Sequence, residues 1–200
     1  MTVPALLTYN DFATHPMYIA PGQFSGATQV ANIILDTQKK ILKSLLGSPL
    51  FAEMDDDYDT VNNVFLTQKW TDFVDGYEYL EGDVTVKWAG VKNMLKGFIF
   101  FEYQKFNHIK NSQLGNVLPN IQNATASTTF ANEVQVYNEA IEKYGFDWCY
   151  MFFRNRKLMY SINTQYPEWE PTAYNFLRHR QSEFPNWNFS AKYKINEFNI

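Results

Sequence analysis

Cysteine is almost missing from this chain. Cys149 is the only one in 200 residues, so no internal disulfide can staple the fold and the composition fits a reducing compartment. Histidine is scarce as well: His15, His108 and His179 are scattered too widely for a zinc-ligand spacing, and Cys149 falls inside a predicted apolar helix. No apolar run approaches the roughly 18 residues needed to cross a bilayer. The amino-terminal stretch MTVPALLTYNDF carries no basic leader and breaks its one apolar run with Pro4, so no signal peptide is expected. These absences point to a soluble, cofactor-free protein folded in the cytoplasm, without a membrane partner.

Motifs that carry chemistry are missing too. GVKNMLKG has neither the Walker nor the dinucleotide glycine spacing, and no serine sits in a Gly-x-Ser-x-Gly elbow. Asp55, Asp57 and Asp59 have the one-three-five spacing that opens a calcium loop. That pattern then fails, with Thr60 where the turn needs glycine and Leu66 where a bidentate glutamate is required. No catalytic, cofactor-binding or metal-binding residue is therefore assigned, and an enzyme is not expected.

Aromatic residues, in contrast, are abundant. Seventeen Phe, thirteen Tyr and five Trp make up 18% of the chain, more than one small core readily absorbs. Aromatics offer large contact area at low entropic cost and are enriched at interface centres, so the excess argues for protein partners; an aromatic-rich core is the alternative. Charge is unevenly spread. The net charge is only −4, but between Glu53 and Asp83 ten acids face a single base, Lys69, a surface that repels nucleic acid. The four arginines all come late, at Arg154, Arg156, Arg178 and Arg180. A few phosphate contacts could arise there, but no DNA-reading motif accompanies them.

Along the chain, the prolines and glycine of residues 1–25 predict an extended N-terminal arm. Val30, Ile34, Thr37, Ile41 and Leu45 fall on one face of a helix over 27–46, which Gly47 and Pro49 stop. A loop through the acids Asp55, Asp56, Asp57 and Asp59 leads to a second helix ending near Asp75, and GYEYLEGDVTVK (76–87) reads as a short hairpin. The next helix, 88–107, has apolar residues on several sides: Trp88, Val91, Leu95 and Phe98 on one stripe, and Met94, Ile99, Phe101 and Tyr103 off it. Such a helix must be covered on more than one flank, so it is the central strut of a bundle or is shared with a neighbouring subunit. A polar loop over 108–129 precedes a seven-residue repeat, Val134, Tyr137, Ile141, Tyr144, Trp148, Met151, Asn155, Leu158 and Ile162, which predicts one long helix over 131–162.

Beyond residue 165 no helical period is maintained, but the aromatics continue. An extended C-terminal arm over 166–200 that docks Trp169, Tyr174, Phe176, Trp187, Phe189, Tyr193 and Phe198 onto another surface accounts for this, with docking back onto its own domain as the alternative. Its deletion is then expected to leave the helical domain folded. Arg154, Arg156, Arg178 and Arg180 join these aromatics as the candidate subunit interface, and Asp55, Asp56, Asp57 and Asp59 form a candidate acidic lumen or contact surface. The expected architecture is mainly α: a helical bundle over 26–165 with one long helix, a short β-hairpin and two extended arms.

Three stretches resemble a known family. They are ANIILDTQKKILKSLLGSPLF (31–51), VKWAGVKNMLKGFIFFEYQKF (86–106) and, after the Asn/Thr-rich loop, VYNEAIEKYGFDWCYMFF (136–153). Together, over about residues 30–165, they look like the head-to-tail connector proteins of tailed bacteriophages, the adaptor or neck group, in the divergent set associated with phages of Bacteroidetes-type bacteria. None of these motifs carries chemistry. The resemblance implies a non-enzymatic virion component at the head-tail junction that assembles with itself as a ring, typically twelvefold. Such a ring sits beneath the portal protein, meets the adjacent neck or tail proteins and touches DNA only in passing. A tail terminator or stopper ring is the nearest alternative, and a cellular helical protein-binding or ligand-binding module is one from another class.

Overall fold

The 200-residue chain is seen in a computed structural model that describes residues 6–13, 17, 19, 27–81, 84–108, 110–112, 115–117, 127–145 and 171–187. A short 3-10 helix (Tyr9–Phe12) comes first, followed by α1 (Ala27–Asp56), β1 (Tyr58–Asp59), β2 (Val64–Phe65) and α2 (Gln68–Asp75). Then come β3 (Tyr77–Glu81), β4 (Val84–Trp88), α3 (Val91–His108), β5 (Lys110–Ser112), β6 (Gly115–Val117), α4 (Ser127–Tyr144) and α5 (Ala173–His179). The fold is mainly helical, and among the described residues the strands form three separate antiparallel hairpins.

The periodicity of α1 is realised as read. Val30, Ile34, Thr37, Ile41 and Leu45 are all buried, and Gly47, at φ 78° and ψ 162°, interrupts the helix. That backbone conformation suits glycine because other residues would crowd their own Cβ. The chain then turns helical again through Asp56, so Gly47 and Pro49 make a kink rather than an end. The second limb buries Leu50, Phe51 and Met54, and the burial of this apolar surface offsets the lost helical hydrogen bonds at the kink.

α3 is the central strut. Val91, Met94, Leu95, Phe98, Ile99, Phe100, Phe101 and Tyr103 are all buried, with α1, α2 and α4 packed around it. The α4 side depends on Gly97: a Cβ there would lie 2.7 Å from the Ala140 Cβ and 3.0 Å from the Val136 carbonyl oxygen. Two small residues thus let the helices approach closely, and Phe98 packs edge-on against both Tyr137 and Tyr144. The Tyr144 hydroxyl lies 2.9 Å from that of Ser44, which links α4 to α1. Burial raises the Tyr144 pKa, with the Ser44 hydrogen bond opposing in part, so the phenol stays neutral.

α4 follows its heptad in modified form. Tyr137 and Tyr144 are buried, but Val136 and Ala140 complete the seam, while Val134 and Ile141 sit half-buried at its edge. The helix ends at Tyr144; the rest of the expected long helix, with Trp148 to Ile162, lies outside the described residues. Among the described residues the longest helical element is α1. Within the expected polar loop, β5 and β6 form a short hairpin.

The expected extended arms, where they are described, pack on the chain's own core. Near the N-terminus, Leu6, Leu7, Phe12 and Ile19 are buried in the main core. Asp11 accepts from the Thr8 backbone N–H at 2.7 Å, which fixes the 3-10 helix, and the Tyr9 hydroxyl donates to the Ile19 carbonyl at 2.7 Å. At the other end, Thr172 caps α5 through the Asn175 N–H, and Phe176 and Phe184 are fully buried. Residues 171–187 thus dock back onto their own domain.

Candidate functional site

Most of the expected interface residues that are described face inward. Tyr174, Phe176 and Trp187 are buried, and the Trp187 indole N–H donates to the Leu45 carbonyl at 2.9 Å. Phe176 stacks on Trp88, whose own indole donates to the Phe73 carbonyl. The reason is local: the end of α1, α2 and β4 leaves Trp70, Phe73 and Trp88 needing a lid, and Phe176 and Phe184 supply it. Tyr174, Phe176 and Trp187 therefore offer nothing to a neighbouring subunit. Trp169, Phe189, Tyr193, Phe198, Arg154 and Arg156 lie outside the described residues.

Arg180 is internal as well. Its guanidinium reaches Asp72 and Glu183 at 2.5 Å each and lies over the rings of Tyr77 and Phe176. Burial works against its charge, but hydrogen bonds to Glu183 and Asp72 and the charges of both outweigh it, and the pKa is held above its ordinary value. With Asp72 nearly buried, the pair clamps α2 to the end of α5. Arg178, half-buried in the last turn of α5, is the one described arginine not engaged in that clamp.

The acidic segment divides into several roles. Glu53 pairs with Lys69, Asp72 with Arg180, Asp75 with Lys92 and Glu78 with Lys87. These four serve the fold or sit in exposed pairs of small energetic weight. Of the other six, the side chains of Glu81 and Asp83 lie outside the described ones, and Asp55, Asp56, Asp57 and Asp59 gather around a feature that sequence reasoning missed. Residues 57–67, expected to run from a loop into a helix, form the β1–β2 hairpin, and α2 begins only at Gln68.

Two of the acids build this hairpin. Asp59 accepts from the Val61 N–H at 2.8 Å, the Asn62 N–H at 3.2 Å and the Asn62 side-chain amide at 2.6 Å. The side-chain bond from Asn62, then the two backbone bonds, lower its pKa. Asp57 accepts from the Thr67 N–H at 3.0 Å and closes the base. Tyr58 and Phe65, paired across the strands, meet edge to face at 5.0 Å. The turn closes through Asn63 at φ 56°, a left-handed conformation that asparagine tolerates better than most residues. The Asn-Asn pair between two valines was the available signal.

Apolar side chains are nevertheless left in water on this hairpin: Val61 is 85% exposed, Leu66 69% and Val64 50%. At its foot, Pro49, Glu53, Asp56, Asp57, Leu66 and Asn186 line a groove of about 500 Å³ that opens widely to solvent. Among the described residues no group of three His, Cys, Asp or Glu side chains could hold a metal ion, and no helix is long and apolar enough to cross a membrane. The chemistry on offer here is recognition, through a braced apolar tip over a negatively charged base. No protein-family model, curated protein or solved structure matches this chain.

Proposed function

We propose that this chain is a structural virion protein, a subunit of a neck ring that acts as head-to-tail adaptor between the portal and the next neck or tail protein. The observation that carries an assembly role is the hairpin over 57–67, where Asp57 and Asp59 brace the turn and yet Val61, Val64 and Leu66 remain uncovered. Ordering a turn this tightly around exposed valine and leucine has no benefit for an isolated molecule, but preorganises a contact. The aromatic surplus, by contrast, supports this reading less than its abundance suggests, since the described part of it fills the chain's own core. The resemblance of residues 31–51, 86–106 and 136–153 to neck adaptors supplies the place of assembly. A predominance of helix fits an adaptor better than a tail terminator or stopper ring, which are more often built on β-structure.

In this proposal the ring is a homo-oligomer, typically twelvefold, located in the virion neck, with DNA passing through without specific contact. The test is electron microscopy of the purified chain, alone and mixed with its portal protein. Closed rings that bind the portal coaxially are expected. A chain that stays monomeric at high concentration and ignores the portal overturns the reading and favours a helical binding module using the groove beside Asp56.

A further inference from the structure

Besides the acidic hairpin, α1 presents a second uncovered surface. Leu35, Lys39 and Lys43 are spaced by four residues and so lie in line on one helix face, with Asp36 and Lys40 beside them. All five are exposed. Three lysines against one aspartate leave this face positive. None of the ion pairs among the described residues involves Lys39, Lys40 or Lys43, nor Asp55, Asp56, Asp57 or Asp59. Lys43 is partly engaged over the Phe51 ring, at 5.4 Å. Among the described residues Lys39 and Lys40 have no such contact.

The molecule thus carries two surface patches of opposite sign on consecutive stretches of chain, the acidic one with Asp56 exposed and Asp57 and Asp59 half-exposed, each with apolar surface beside it: Leu35 on one, Val61, Val64 and Leu66 on the other. Between Glu53 and Lys69 no basic residue dilutes the acidic patch. We propose that the occupant of the hairpin surface is a second copy of this chain, whose Lys39–Lys40–Lys43 face of α1 docks on Asp56 and the apolar hairpin tip. Complementary charge sets register and orientation, and the apolar side chains supply the area removed from water. Because the patches differ, the contact is heterologous and repeats from copy to copy, the kind of interface that closes into a ring when the rotation allows. This rests on the assembly reading above and names the surfaces it uses.

The experiment uses the full chain in sedimentation velocity over a range of concentrations at low, physiological and 1 M salt. Two variants keep the hairpin bonds of Asp57 and Asp59 intact. Lys39→Glu with Lys40→Glu reverses one patch at exposed helix positions where glutamate is well tolerated, and Asp56→Lys reverses charge on the other. Circular dichroism confirms that each retains its helix content. Self-association of the unaltered chain that weakens with salt, falls at least tenfold in each variant alone and returns when the two variants are mixed is the expected result. Association that neither variant changes overturns this contact and leaves the assembly reading standing. An unaltered chain that is monomeric under every condition, including in the presence of portal protein, overturns both.

Discussion

Asp59 shows how one carboxylate at the surface can brace a turn, through Val61 and Asn62. Its three hydrogen bonds favour the ionised form, which is why its pKa lies below the ordinary 3.8 even without burial. A carboxylate with a depressed folded-state pKa contributes stability that is complete above its unfolded value and is lost as pH falls through the folded one. The Val61 and Asn62 amides should therefore be fully protected from hydrogen exchange above about pH 4 and open only as pH falls further, through the lowered pKa. Asp59→Ala should expose both at neutral pH while the exchange of α3 amides is unchanged. Arg180 illustrates the opposite environment. The Asp72–Arg180 pair is mostly shielded from water; Asp72→Ala leaves the guanidinium held by Glu183 alone, and loss of one charged hydrogen bond should cost about 2 kcal/mol in denaturant unfolding. The sequence showed Arg180 beside Arg178 in RHR and suggested a shared outward role. What separates them is a helix end that turns one inward, a distinction invisible without the partners Asp72 and Glu183.

At the level of elements, the α3–α4 crossing rests on two small side chains. Gly97→Val places three carbons where the Ala140 Cβ would already be 2.7 Å from the first, and overpacking of this kind should cost about 3 kcal/mol. Gly97→Ala should cost less and be largely rescued by Ala140→Gly in the same chain, a coupling that equilibrium unfolding of the two single variants and the double variant would measure. Helices with strong periodicity were legible: the buried face of α1 and the burial of α3 on several sides follow directly from their apolar spacing, and the β3–β4 hairpin follows from its alternation. The β1–β2 hairpin was not. Its strands are two residues long, too short for alternation to register, and its acids resembled a helix start. Gly47 and Pro49 signalled a break correctly, but only tertiary burial of Leu50, Phe51 and Met54 explains why the helix resumes.

For the molecule as a whole, one cluster joins residues from Leu6 to Trp187. Removing everything after residue 170 would uncover Trp70, Phe73 and Trp88 and delete Phe176, Phe184 and Trp187, each costing about 3–5 kcal/mol if truncated singly. The shortened chain should lose tertiary near-UV signal and much of its helix content, against the expectation from sequence that this segment is dispensable to the fold. The candidate surface was legible as charge but not as shape: ten acids pointed to the right region, and four of them proved to be engaged in ion pairs. Composition alone could not tell an aromatic excess destined for a partner from one destined for the chain's own interior, because both remove the same rings from water.

The lid over Trp70, Phe73 and Trp88 also bears on how the protein is made. α3 leaves the ribosome roughly eighty residues before Trp187 does, an interval of about 4 to 16 s at ordinary elongation rates. Through that interval the nascent chain carries Trp70, Phe73 and Trp88 with their closing segment still unsynthesised, so holdase chaperones should bind here, and a stop codon before residue 170 should give an aggregating product rather than a slightly shorter working one.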